Sequence, residues 1–192
     1  MFRFGKVTVA PGFWFALVGT LIVGAWDVLP TMLLAAALHE GGHLLLLALF
    51  GVDVEEMTFT AFGVEIRANT RYLSYGKDII CTLAGPAVNI LAALFFARGL
   101  GAYLPAGANL LQGCFNLLPL TGLDGARALH LALCRMLDPV RADRVSWIVE
   151  LSCAVAIAMV VVYLVVRHCT GGFLLVAVSG VFVSIWREFS GK

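Results

Sequence analysis

Apolar residues run almost unbroken for about twenty positions at a time along this chain, and polar residues gather at the joints between runs. An α-helix needs about 20 residues to cross a bilayer, so each run reads as a candidate span. Six can be drawn: Gly12–Leu29, Thr31–Phe50, Lys77–Ala97, Leu104–Leu120, Val145–Val166 and Gly172–Trp186. The fourth is interrupted near its end, and a short helix over Ala126–Leu137 is expected to follow it. One connection has a different period. Met57–Phe62 alternates apolar and polar, Gly63 intervenes, and Val64–Asn69 alternates again. Period two on both sides of a glycine predicts two short strands, a hairpin, with a solvated loop cover as the alternative. The expected architecture is an α-helical polytopic membrane protein with six transmembrane helices. A short β-hairpin lies between helices two and three, helix four is broken, and residues 1–192 form one domain.

Composition agrees with that reading: 61% of the 192 residues are hydrophobic and 13% charged. A net charge of +1 without a basic run excludes nucleic acid as an obvious partner. Arg3 and Lys6 before an apolar run resemble a signal peptide, but no small-residue cleavage site is clear, so a retained first span is expected. With the N-terminus inside, eleven of the thirteen Lys and Arg fall on the cytoplasmic side, leaving Arg98 and Arg167 outside. That bias places both termini in the cytoplasm of a multi-pass protein of the cell membrane. Five cysteines show no C-x-x-C spacing and read as small buried hydrophobes.

The second span carries the chemistry. His39-Glu40-Gly41-Gly42-His43 sits in its middle, with roughly 12 and 18 Å of helix between its outer end and the two histidines. Each charged residue at such a depth costs about 2.5–3.5 kcal/mol, so ionisable groups there are functional candidates. Positions i and i+4 share a helix face, which lets both imidazoles reach one point with Glu40 beside it. This is the H-E-x-x-H arrangement: two zinc ligands and a general base. The bland alternative is a pair of satisfied core histidines. Chance gives the motif in roughly a few per thousand sequences of this composition, and burial in a span has no cheap explanation.

Span three holds Gly85, Pro86 and Asn89, where small residues and a proline allow close packing and a local kink. Span four places Asn109, Gln112 and Asn116 on one face, which must turn away from lipid. Pro119, Gly122, Asp124 and Gly125 then break the helix, and irregular backbone at membrane depth belongs in a protein interior or a wet cavity. Asp124 is the natural third ligand, an oxygen donor on a break that can fold back toward the histidines. Two His and one carboxylate leave a fourth position open, the catalytic pattern for zinc.

Taken in order, His39-Glu40-Gly41-Gly42-His43, the Leu83–Asn89 stretch and Asn116–Gly125 resemble the site-2 protease family of intramembrane zinc metalloproteases. The resemblance covers the core from about span two to the helix after Asp124. The layout looks most like the branch containing the stage IV sporulation pro-sigma-factor processing protease. It implies one Zn2+ per chain on His39, His43 and Asp124, Glu40 as the base, and Asn116 near the scissile carbonyl. Two positions depart from the family pattern. Ala126 follows Asp-Gly where another glycine is common, and Val64 stands where a second glycine often follows the aromatic residue. No stretch fits a PDZ insertion or a C-terminal CBS domain.

The expected activity is therefore cleavage of a membrane-spanning or membrane-associated protein, with a regulatory membrane partner in trans left open. Phe62, Gly63, Val64 and Ile66 are candidates for gripping an extended substrate on a sheet edge, although which strand is the edge is not legible. Two alternatives stand beside this reading. A metal or ion transporter would need polar sites spread across the bilayer and matching broken helices. A homologue that binds membrane proteins without cutting them would not need Glu40.

Overall fold

The computed structural model describes residues 2–4, 6–22, 24, 26–60 and 63–168. The expected sixth span, Gly172–Trp186, lies outside the described residues. The chain divides into two compact units, residues 1–117 and 118–192.

Among its described residues the first unit contains a small sheet and four α-helices. Strands β1 (Phe2–Phe4), β2 (Val7–Val9), β3 (Val54–Thr60) and β4 (Gly63–Ala68) lie side by side in that order. β3 and β4 pair antiparallel as the hairpin the alternation predicts, with Met57 opposite Ile66 and Phe59 opposite Val64. β2 joins β3 in parallel, and β1 pairs antiparallel with β2. The two N-terminal strands are an addition to the sequence expectation. Phe2-Arg3-Phe4 and Val7-Thr8-Val9 do alternate, but Arg3 and Lys6 were absorbed into the charge flank of the first span.

The helices are α1 (Pro11–Ile22), α2 (Val28–Leu49), α3 (Tyr75–Leu94), which runs on into a π-helical turn over Phe95–Gly99, and α4 (Tyr103–Asn116). α1 is 12 residues long and α4 is 14. At 1.5 Å per residue they reach about 18 and 21 Å, short of the ~30 Å hydrocarbon core. The first expected span ends early because the chain turns at Gly24, whose φ of 80° favours glycine. Its last two residues instead open α2, whose third residue is Pro30. A proline breaks a helix interior but fits the first turn, where its missing N–H has no partner to lose. At the other end of α2, Gly51 has φ 69°, Val52 N–H donates to Leu47 O and Gly51 N–H to Ala48 O. That double bond closes the helix and turns the chain toward β3.

The second unit contains α5 (Asp124–Met136) and α6 (Pro139–His168). Asp138 starts α6: its carboxylate accepts the N–H of Arg141 at 3.0 Å, and Pro139 supplies a helical φ. Helix four thus ends at Asn116, and α5 begins two residues before the expected Ala126.

Among the described residues three helices are long and apolar enough to cross a membrane: Val28–Leu49, Tyr75–Gly99 and Pro139–Leu164. Their outer surfaces are apolar. Leu33, Leu45, Leu91, Val155 and Met159 are exposed, while Thr82, Asn89 and Asn109 are buried. Apolar outside and polar within is the arrangement a lipid solvent selects.

Candidate metal centre

α2 packs against α3 where both backbones are narrow. A Cβ on Gly42 would lie 2.7 Å from the Ala84 carbonyl oxygen, so the glycine is required by the approach of α3. At the next residue of α3, a Cβ on Gly85 would overlap His43 Nε2 and stand 2.9 Å from His39 Cε1. The two imidazoles therefore occupy the space that a side chain at position 85 would otherwise fill.

His39 is buried and His43 half-buried, and their rings meet nearly edge to face, 81° between planes. Their outer nitrogens are both tied. His39 Nδ1 lies 2.6 Å from Asn89 Oδ1, and His43 Nδ1 lies 2.9 Å from the Cys81 carbonyl oxygen. The Asn89 amide has one sensible orientation, because its Nδ2 donates to the carbonyl of Ala35 and to Asn109 Oδ1, both at 2.9 Å. Its oxygen must then face His39. Both histidines are thus donors at Nδ1, which in a neutral ring leaves the lone pair on Nε2.

Those two Nε2 atoms are 3.2 Å apart. Two acceptors at that distance do not make a hydrogen bond; they need a cation or a proton between them. Two imidazole nitrogens at tetrahedral angles on zinc, each at 2.0–2.1 Å, would stand about 3.3 Å apart. The donor set fits a metal. Glu40 follows His39 on α2 and is half-buried.

Asn116 closes α4, where one of its two Nδ2 protons goes to its own helix, to Gln112 O at 3.1 Å. In the second unit, Asp124 is the first residue of α5, where a carboxylate interacts favourably with the helix dipole. Gly125 follows it in the same first turn. Pro119 lies in the turn that leads to this helix, and Gly122 there has φ 88°. Glu150 of α6 accepts both the N–H and the hydroxyl of Thr121 in that turn. The spacing of 29 positions between Thr121 and Glu150 gave no signal for the contact that forms. By donor type, the His39 and His43 imidazoles of the first unit and the Asp124 carboxylate of the second are all groups that bind metal ions.

Gly63, Val64 and Ile66 lie on β4; Phe62 lies outside the described residues. Met57 N–H donates to Lys6 O, and Phe59 O accepts from Ala10 N–H. Residues 57 and 59 of β3 thus turn their backbone groups toward β2, and Thr58 and Thr60 turn theirs toward β4. Val64 and Ile66, opposite Phe59 and Met57, therefore direct N–H and C=O away from the sheet. Within this sheet β4 is an edge, and β3 is an inner strand.

A narrow helix pair holding two inward histidines, with helices long and apolar enough to cross a membrane, is the class of arrangement the described residues define. No family model matches the sequence, and no curated protein matches it. The fold has a counterpart among solved structures, the site-2 protease from Methanocaldococcus jannaschii. The TM-score is 0.70 at 18% identity, over 98% of this chain and 93% of that one. At that identity the likeness establishes the fold.

Proposed function

We propose that the protein is an intramembrane zinc metalloprotease that cuts membrane-spanning or membrane-associated proteins. The observation that carries this reading is the pair of Nε2 atoms 3.2 Å apart, each imidazole fixed from behind through Nδ1. His39, His43 and Asp124 would hold the ion, and the fold shared with a site-2 protease supports the class of reaction. Bound there, zinc supplies Lewis acidity and makes water a nucleophile near neutral pH.

The chain's own residues do the rest. Glu40 takes a proton from the attacking water on its carboxylate and returns it to the departing amine, general acid–base work worth typically 10²–10⁴-fold. Asn116 keeps one Nδ2 proton for the oxygen of the scissile carbonyl as charge develops on it. The substrate must be locally unwound, because an intact helix shields its peptide bonds in i→i−4 hydrogen bonds. An unwound segment can add to β4, where Val64 and Ile66 offer outward backbone groups beside Gly63. The positive-inside bias supports a multi-pass arrangement with both termini in the cytoplasm.

The test is Glu40→Gln, reconstituted with a single-span substrate. Zinc content should stay at the wild-type level while cleavage falls at least about 100-fold. Cleavage near the wild-type rate would remove Glu40 from the mechanism. Metal uptake into vesicles by the same variant would instead favour a transporter.

A further inference from the structure

Asn89 and Asn109 are among the largest side chains with no solvent exposure, and both are polar residues on helices packed together in the first unit. They form a directed chain. His39 Nδ1–H donates to Asn89 Oδ1 at 2.6 Å, Asn89 Nδ2 donates to Asn109 Oδ1 at 2.9 Å, and Asn109 Nδ2 donates to Pro105 O at 2.9 Å. A branch runs from Asn89 Nδ2 to Ala35 O, one turn before His39 on the same helix. Every amide in this chain has one orientation without a clash of like groups. Turning Asn89 over would set its oxygen against both Ala35 O and Asn109 Oδ1, and its NH2 against His39 Nδ1. In so buried a place each unmade bond costs about 1–3 kcal/mol.

We infer that Asn89, held by Ala35 and Asn109, is the positioning residue that keeps the proton of His39 on Nδ1 and its Nε2 lone pair turned to the metal. Small buried packing does not need this arrangement, since a leucine fills the same volume. The inference rests on the proposed metal site, because a histidine fixed in this tautomer is of use only to something that accepts the Nε2 lone pair. Partners in this position typically carry 10–100-fold in metal affinity.

Two measurements test it. In the metal-free protein, 15N NMR of labelled histidine reports which nitrogen of His39 is protonated. The Nδ1–H form is expected, and the Nε2–H form would overturn the inference without any variant being made. The second measurement is zinc affinity in detergent for Asn89→Leu and Asn89→Asp, with inserted, folded protein checked by thermal unfolding. Asn89→Leu should bind zinc about 10–100-fold more weakly. Asn89→Asp, which keeps an oxygen facing His39 but sets its other oxygen against Ala35 O and Asn109 Oδ1, should recover part of that loss. Equal affinity for Asn89→Leu and wild type, or an equal loss in both variants, would reduce Asn89 to packing. A wild type that binds no zinc would sink the metalloprotease reading instead, and the tautomer measurement would still decide the role of Asn89.

Discussion

A methyl group at position 85 would sit where two imidazoles now meet. Gly85→Ala puts a Cβ onto His43 Nε2 and 2.9 Å from His39 Cε1, in a helix pair with no room to retreat. Zinc affinity should fall by at least about tenfold, the scale on which metal sites respond to displaced ligands. Gly41→Ala is the control: a Cβ there meets nothing within 4 Å. It should leave zinc binding unchanged, and equal losses in both variants would mean that the glycine stretch matters for the helix and not for the rings. The His39-Glu40-x-x-His43 pattern was legible because helical spacing alone puts i and i+4 together. Asn89 was read as packing, because 50 positions separate it from His39 and only the folded pair of helices shows the contact.

Among the elements, the hairpin was visible as period two on both sides of Gly63, and its partners were not. Three-residue strands such as β1 and β2 carry too few positions to stand out from the flank of an apolar run. The boundary drawn between Leu29 and Thr31 fails for a physical reason already given: Pro30, in the first turn of α2, is a helix former. The register decides what the alternation left open, namely which strand is the edge. Proline at Val64 or Ile66 removes an outward donor and no ladder bond, whereas proline at Glu65 removes one that faces β3. Cleavage should be impaired by Val64→Pro and Ile66→Pro with zinc and unfolding temperature near wild type. Glu65→Pro should lower the unfolding temperature first. Intact cleavage in both edge variants would leave β4 as a cover and move the substrate grip to the helices.

At the scale of the molecule, apolar side chains face outward on the long helices while amides and an imidazole of the first unit are buried, and composition announced that apolar surface. The number of spans was harder to read, since an apolar run can be cut by a turn, as at Gly24, or stop short, as α4 does at Asn116. Hydrophobicity records burial from water and says little about where backbone geometry ends a helix. Orientation rests on eleven basic residues against two. Tags at both termini should be reachable only from the cytoplasm, and cysteine labels in residues 167–171 only from outside. A C-terminal tag reachable from outside would break the six-span arrangement.

The metal decides the whole account most directly, through zinc content per chain in purified, membrane-inserted wild type, His43→Ala and Asp124→Ala. The expected result is about one zinc ion per wild-type chain and most of it lost from each variant, because three protein ligands leave little redundancy. A wild type that cleaves its substrate without zinc, or a His43→Ala protein that keeps its full complement, would contradict it.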